Sequence, residues 1–187
     1  MPVRVLSRYH LEELLAADGA RGSHCISIGD PDESEPAGLR GGFRDVLRLE
    51  FHDIDSRKDM PASEGPLPPV RADIRKIVRF VRGAESAVSG YVIHCHAGVH
   101  RSTAAALIAL YLMTSSEEGA KAELLKIKAL PLPNRRMIEL FDRDHGTDLG
   151  TVTAELWQRL KDFLAGKIAI SPDDYLDELE AAEGGES

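Results

Sequence analysis

Cysteine is scarce in this sequence, and long apolar runs are absent. The only two cysteines, Cys25 and Cys95, are too far apart to show the spacing of a disulfide framework or a four-ligand zinc site. The longest apolar run, residues 104–113, is too short to cross a bilayer, and the N-terminal residues lack the apolar core of a signal peptide. We therefore expect a cytoplasmic protein in a reducing compartment, with no membrane association.

Basic residues are fewer than acidic residues in this sequence. The chain has 23 basic and 31 acidic residues, a formal net charge of −8, and no Lys/Arg-rich run, so general nucleic-acid binding is disfavoured. A hydrophobic share of 43% and a charged share of 29% are typical of a soluble globular protein. We predict one domain over residues 1–165, followed by an acidic helix and tail over residues 166–187.

Strand-like and helix-like segments alternate along the chain. Short apolar runs bounded by turn-rich sequence predict strands over residues 3–6, 24–28, 45–54 and 91–94. The sequence also predicts helices, from periodicity or, for residues 102–113, from an Ala/Leu-rich run of strong helix propensity; they cover residues 10–17, 68–81, 102–113, 117–130, 134–145 and 151–164. The last of these helices is expected to bury Trp157, and residues 29–42 are expected to form an exposed loop. The alternation predicts an α/β fold with a central, mostly parallel sheet flanked by helices.

The segment HCHAGVHRS, residues 94–102, carries the strongest functional pattern. It places a cysteine, five residues and then an arginine between a predicted strand and a predicted helix. A loop of this length can point its backbone N–H groups inward around an anion, and the helix start adds its positive dipole end. Glycine within the loop permits the tight curvature. The predicted phosphate-binding loop consists of His96, Ala97, Gly98, Val99, His100 and Arg101.

Two side chains give this loop its predicted chemistry. The planar guanidinium of Arg101 can bind two phosphate oxygens at once. Cys95 faces the same positive surroundings, which should favour its nucleophilic thiolate form. Because the chain as a whole is negative, attraction for a phosphate must be concentrated in this loop.

The segment resembles the signature loop of the protein tyrosine and dual-specificity phosphatase superfamily, including bacterial members. The resemblance rests on His94, Cys95, Gly98, Arg101 and Ser102, within a similar region from about residue 47 to residue 113. It implies a protein tyrosine phosphatase-like fold and hydrolysis of phosphomonoesters without a cofactor or metal. By this resemblance, Cys95 attacks phosphorus to form a phosphocysteine while Arg101 holds the oxygens. Ser102 assists the departing thiolate, and His94 orients the loop.

This mechanism also needs an acid that protonates the leaving oxygen and then serves as a base for water. In the superfamily this group is an Asp upstream of the cysteine, and VLRLEFHD resembles the strand that precedes it. The resemblance therefore points to Asp53. The long gap to Cys95 implies an insertion, so Asp55 and Asp59 remain alternatives, with Glu64 a weaker one.

The loop composition also bears on the substrate. No lysine lies between Cys95 and Arg101, whereas family members that act on phosphoinositides often carry lysines there. We therefore expect a phosphorylated protein, with phosphotyrosine as first candidate, or a small phosphoester. His100 is expected to be a solvent-facing loop residue that could tune substrate choice, and Asn134 to cap a helix.

Three other interpretations compete with this one. A metal site of His94, Cys95 and His96 is disfavoured, because adjacent strand residues point to opposite faces and no further ligand pair follows. A rhodanese-like sulfurtransferase also uses a cysteine in an anion-binding loop, but it does not require the arginine and serine that end this loop. A phosphate-binding module without turnover needs no acid. The oligomeric state and the redox role of Cys25 stay open.

Overall fold

The structure is a computed structural model that describes residues 2–17, 20–55, 66–84 and 89–171. Within these ranges the chain forms four strands, which are β1 (Val3–Leu6), β2 (His24–Gly29), β3 (Asp45–Glu50) and β4 (Tyr91–His94). The same ranges contain seven helices, which are α1 (Arg8–Ala16), α2 (Leu39–Gly42), α3 (Arg71–Arg82), α4 (Arg101–Thr114), α5 (Glu117–Ile127), α6 (Arg135–His145) and α7 (Leu149–Leu164).

The strands form one parallel sheet in the order β1-β4-β2-β3. Tyr91 at the start of β4 is aligned with Val3 of β1 and with His24 of β2. Because the strands are parallel, their carboxyl ends meet at one edge of the sheet, where ligand sites of such sheets lie. β4 leads into the HCHAGVHRS loop at this edge. The predicted α/β fold with a parallel central sheet is confirmed.

Helix α4 forms the centre of the main core. Every residue from Arg101 to Leu110 is buried, which explains why this helix is apolar on all sides. It packs with α3, α5 and α6. A second, smaller apolar cluster consists of Leu11, Cys25, Leu39, Phe43 and Val92. The carboxyl edge of the sheet therefore rests on packed side chains.

Side-chain caps fix the helices near this edge. Ser7 Oγ accepts a hydrogen bond from His10 N at the start of α1. Asn134 Oδ1 accepts one from Met137 N at the start of α6, so the expected cap at Asn134 is confirmed. Helix α3 covers most of the helix predicted over residues 68–81 and ends one residue before Gly83.

Three details differ from the expectations. Residues 29–42 are not wholly an exposed loop, because they contain α2 and bury Leu39 in the smaller cluster. β3 ends at Glu50, because its partner β2 ends at Gly29, with which Glu50 is aligned. Trp157 is only partly buried, because its ring lines a cavity between α6 and α7 and packs against the loop residue His100.

Some predictions concern residues outside the described ranges. The alternative acids Asp59 and Glu64 lie there, as do residues 172–187 of the predicted acidic helix and tail. The division of the chain at residue 165 therefore stays a prediction. Among the helices that are described, none has the length and apolar character needed to cross a bilayer.

The two cysteines are free and lie apart. Cys25 is aligned with Val92, three residues before Cys95, which places the two cysteines about 10 Å apart along the sheet. A disulfide needs Cα atoms within about 7 Å. Burial raises the pKa of the Cys25 thiol. Cys25 is therefore a packing residue in this fold.

Candidate active site

The HCHAGVHRS loop joins the carboxyl end of β4 to the start of α4. Cys95 is buried, and its Sγ lies 3.2 Å from Ser102 Oγ, within hydrogen-bond reach. Because α4 begins at Arg101, its unpaired N–H groups and positive dipole end lie at this loop. The structure thus brings Cys95, Arg101 and Ser102 to the N-terminus of one buried helix.

Gly98 occupies a position in the loop that only glycine fits. Its φ of +70° lies in the left-handed region. A Cβ at this position would lie 2.7 Å from Ser7 N and 2.8 Å from Leu6 C. On the same side, Arg8 N donates a hydrogen bond to His96 O at 2.9 Å. The loop therefore rests directly on the backbone at the end of β1.

Arg101 is almost completely buried, with 3% of its surface exposed. Its Nη1 donates to Asp30 Oδ1 at 2.6 Å and to Phe51 O at 2.7 Å. Its Nε lies 3.9 Å from Asp53 Oδ2 and, within the described residues, has no hydrogen-bond partner. A buried donor of this kind is costly unless a ligand completes it. The guanidinium is thus anchored on one side and keeps donor capacity for an anion.

His94 is held by a buried bridge between three strands. Its Nε2 lies 2.7 Å from Ser27 Oγ, and Arg48 Nη1 donates to the same oxygen at 3.0 Å. Ser27 Oγ thus links the ring of His94 to the guanidinium of Arg48. Burial lowers the pKa of His94 to about 4, and the charge of Arg48 acts in the same direction. His94 is therefore neutral.

Glu33 ties three other groups together beside the loop. Its Oε1 accepts from Arg8 Nη1 at 2.7 Å and lies 3.1 Å from His96 Nδ1, while Oε2 accepts from Asp30 N at 3.1 Å. Burial raises the pKa of Glu33, but these hydrogen bonds outweigh it and hold the pKa at about 2. An ionised Glu33 thus fixes His96 and the segment after β2.

Asp53 lies on the opposite side of the loop. Its Oδ2 is 3.1 Å from His100 Nδ1, and its Oδ1 accepts from Asn134 Nδ2 at 2.8 Å. Burial raises the pKa of Asp53, but His100, Asn134 and the charge of Arg101 outweigh it and lower the pKa below the usual range. The structure therefore places this predicted acid next to the phosphate-binding loop.

Asp55 has a different set of partners. Its Oδ1 accepts from Arg135 N at 2.7 Å, so it binds the start of α6 rather than the loop. The Arg135 guanidinium lies over the Trp157 ring, 4.4 Å from its centroid. Of the two described candidates for the acid, only Asp53 contacts the loop.

His100 is more constrained than a solvent-facing residue. Its ring stacks on Trp157 with the ring centroids 5.7 Å apart, while Nδ1 faces Asp53. The hydrogen bond to Asp53 raises the pKa of His100, against the opposing effect of burial. The histidine is thus held between a carboxylate and an indole.

Sequence reasoning missed several residues around the loop, among them Ser27, Asp30, Glu33 and Trp157. Asp30 and Glu33 follow the carboxyl end of β2, which meets the same sheet edge, and that position was the available signal. Ser27 and Trp157 gave no comparable signal, because their contacts depend on strand order and on helix packing.

Two of the cavities differ in their distance from the loop. One, of about 360 Å³, lies between α6 and α7, with Arg135, Thr153, Trp157 and Lys161 among its lining residues, and is connected to the loop through Trp157, whose ring stacks on His100. Another, of about 530 Å³, lies between α1 and the end of α5 and includes no loop residue. In the part of the chain that the structure describes, no group of three or more His, Cys, Asp or Glu is arranged to hold a metal ion.

The parallel sheet, with a cysteine-to-arginine loop at the start of a buried helix, defines the fold of the protein tyrosine and dual-specificity phosphatases. Solved structures bear this out. The active form of Tk-PTP matches with a TM-score of 0.53 and 16% identity, over 81% of this chain and 92% of that chain. Human DUSP28 matches with a TM-score of 0.55 and 15% identity, over 82% of this chain and 94% of that chain.

A third structure of this fold, PTPMT1 in complex with PI(5)P, matches with a TM-score of 0.51 and 18% identity, over 83% of this chain and 91% of that chain. No family model matches the sequence, and no curated protein sequence matches it significantly. The predicted phosphatase-like fold is confirmed. Individual residue roles rest on the geometry described above.

Proposed function

We propose that the protein hydrolyses phosphomonoesters through a phosphocysteine intermediate. The observation that carries this proposal is the convergence of Cys95, Ser102 and Arg101 on the N-terminus of α4 in a phosphatase fold. The arrangement combines a nucleophile, a guanidinium and backbone donors for the phosphoryl oxygens. No cofactor takes part in the reaction as proposed.

Each loop group has one task in this reaction. The Cys95 thiolate attacks phosphorus while Arg101 and the loop amides stabilise the charge on the non-bridging oxygens. Asp53, which lies beside the loop, protonates the leaving oxygen and then takes a proton from the attacking water. When water cleaves the phosphocysteine, Ser102 donates a hydrogen bond to the departing sulfur. His94, locked by Ser27, orients the loop.

We propose an aryl phosphate, with protein phosphotyrosine as first candidate, as the substrate class. PTPMT1 was solved with a phosphoinositide, but this chain has no lysine between Cys95 and Arg101. Trp157, which stacks on the loop residue His100, instead lines a cavity of about 360 Å³ between α6 and α7. An aromatic side chain next to a cleft suits a planar ring or an apolar flank of the substrate.

Replacement of the nucleophile tests the proposal. We expect Cys95→Ser to lower kcat for p-nitrophenyl phosphate by at least about 10⁴-fold, because the covalent route is lost. The variant should still bind vanadate, whereas Arg101→Ala should lose both turnover and vanadate binding. Mass spectrometry of acid-quenched wild-type protein should show one added phosphoryl group on Cys95.

The competing functions predict other results. A sulfurtransferase would convert thiosulfate and cyanide and leave the aryl phosphate intact. A binding module would bind vanadate without any turnover. Turnover that survives Cys95→Ser would contradict the phosphocysteine route.

A further inference from the structure

We propose that the cavity between α6 and α7 is a substrate subsite. It would bind an acidic side chain, Glu or Asp, of a peptide whose phosphotyrosine lies in the phosphate-binding loop. This inference rests on the proposed phosphatase function and deepens it by naming a feature of the substrate. Three observations support it: two cations in the cavity wall, a buried hydroxyl without a partner, and a direct connection to the loop.

Both helices that line the cavity contact the loop. Trp157 of α7 lines the cavity, and its ring stacks on His100 with the ring centroids 5.7 Å apart. At the start of α6, Asn134 N donates to His100 O at 3.1 Å, and the next residue, Arg135, lines the cavity. His100 in turn directly precedes Arg101. Because an extended peptide advances by about 3.5 Å per residue, a residue within about four positions of a bound phosphotyrosine can reach this cavity.

Two cationic side chains line the cavity, one from each helix. The Arg135 guanidinium lies over the Trp157 ring, 4.4 Å from its centroid, and 53% of this side chain is exposed. Lys161, one turn after Trp157 on α7, is also exposed. One carboxylate, Glu139, lines the cavity as well, and Asp55 Oδ2 lies 4.0 Å from Arg135 Nε. Two cations against one anion give the wall a positive charge in a chain whose net charge is −8.

Thr153 supplies a hydroxyl without a partner. The residue lines the cavity and is 3% exposed, and in the part of the chain that the structure describes its Oγ1 has no hydrogen-bond partner. A threonine within a helix can donate to the carbonyl four residues earlier, as Thr114 Oγ1 does to Leu110 O at 2.9 Å. Thr153 does not, and a buried unpaired hydroxyl is costly. A carboxylate that accepts from Oγ1 would remove this cost.

The rest of the wall suits the stem of an acidic side chain. Ile138 and Ala154 line the cavity. Trp157 offers only its ring face, because its indole N–H already donates to Pro133 O at 3.2 Å. The methylene groups of a glutamate can pack on this apolar surface while the carboxylate meets the two cations. A purely apolar side chain would leave the hydroxyl unpaired, so the whole set of lining groups favours an acidic ligand.

The test compares phosphotyrosyl peptides that differ only in a single Glu or Gln, placed in turn at each of the four positions before and after the phosphotyrosine. For the wild type we expect kcat/KM to be about 3- to 10-fold higher for the Glu peptide at the best position, because two partly exposed cations bind its carboxylate. The preference should come mainly from a lower KM and should weaken as salt is added. In Lys161→Gln the ratio should fall towards 1.

Charge reversal sharpens the test. Lys161→Glu should prefer a peptide with Lys at that position over the Glu peptide. Lys126→Glu, on α5 and outside the cavity, changes the net charge by the same amount and should keep the wild-type preference. Thr153→Val should lower the preference for Glu without lowering the free energy of unfolding, because valine has a similar shape and leaves no buried hydroxyl unpaired.

The inference and the proposed function fail in different ways. The inference is overturned if the wild type hydrolyses p-nitrophenyl phosphate but shows no preference for a Glu peptide at any position, or if Lys161→Glu keeps the wild-type preference. In either case the proposed phosphatase function would stand. If the wild type hydrolyses neither p-nitrophenyl phosphate nor any of the peptides, the proposed function fails first, and the subsite fails with it.

Discussion

The two sides of the phosphate-binding loop are built differently. One side, the scaffold flank, faces β1 and β2 and consists of Arg8, Ser27, Glu33, Arg48, His94, His96 and Gly98. The other side, the open flank, faces β3, α6 and α7 and consists of Asp53, His100, Asn134 and Trp157. His94 on the scaffold flank and His100 on the open flank lie in different electrostatic settings, because only His100 faces a carboxylate.

The difference shows how the surroundings of a histidine set its pKa. His94 is buried beside the positive charge of Arg48, which lowers its pKa to about 4 and keeps it neutral. His100 is partly exposed and bound to a carboxylate, which raises its pKa. The scaffold flank therefore holds a histidine that stays neutral, and the open flank holds a histidine whose protonated form is stabilised. We therefore expect substitutions on the scaffold flank to lower the free energy of unfolding without shifting the pH dependence of activity.

The largest effect on stability is expected at Gly98. We expect Gly98→Ala to lower the free energy of unfolding by at least about 2 kcal/mol, because alanine disfavours a φ of +70° and its Cβ would meet the backbone of Leu6 and Ser7. Urea denaturation measures the change. Gly41→Ala is the matched control: with open space around its Cβ, it should be neutral or slightly stabilising. Equal losses in both variants would contradict the tight fit at Gly98.

A smaller loss of stability is expected at Ser27. Ser27→Ala leaves His94 Nε2 and Arg48 Nη1 without their shared partner, and should cost about 1–3 kcal/mol. The activity should fall while the pH profile keeps its shape. The control is Ser116→Ala, which removes the N-cap of α5 at a cost of about 1 kcal/mol and should leave the activity unchanged. A shift in the pH dependence of activity in Ser27→Ala would mean that the two flanks are not independent.

The smallest effect is expected at Glu33, and it depends on pH. The pKa of Glu33 is lowered from 4.5 to about 2, so the stability that it contributes is present above pH 4.5 and is lost as the pH falls towards 2. We expect Glu33→Gln to lose about 1 kcal/mol at pH 7, because solvent partly screens these contacts. As the pH falls towards 2, this difference in stability from the wild type should shrink towards zero. Urea denaturation of the wild type and of Glu33→Gln at pH 7 and pH 2.5 measures the two free energies of unfolding.

Glu123→Gln, at an exposed salt bridge on α5, is the matched control for that measurement. Its stability should follow the wild type at both pH values. If Glu33→Gln also follows the wild type at both pH values, the contacts of Glu33 do not hold the scaffold flank together.

The fold and the loop could be predicted from the sequence because their signals are local. A short apolar run marked β4 and an Ala/Leu-rich run of strong helix propensity marked α4. The residues where these two elements meet showed the cysteine, glycine and arginine that an anion-binding loop needs. The flanks could not be predicted in the same way. His94 meets Ser27 only because β2 lies beside β4 in the sheet, and His100 meets Trp157 only because α7 packs next to α6.

The acid was the least predictable part for a related reason. Asp53 and Asp55 are two residues apart on the same extended segment, and nothing local distinguishes them. Their partners at the start of α6 distinguish them. The side-chain nitrogen of Asn134 donates to Asp53, whereas the backbone nitrogen of Arg135 donates to Asp55.

The alignment of Cys25 with Val92 has a consequence for oxidative stress. The chain has only two cysteines, and Cys25 is fixed about 10 Å along the sheet from Cys95. If peroxide converts Cys95 to a sulfenic acid, no second thiol of the folded chain can capture it as a disulfide. Recovery then depends on a backbone amide or on an external thiol such as glutathione, before further oxidation becomes irreversible.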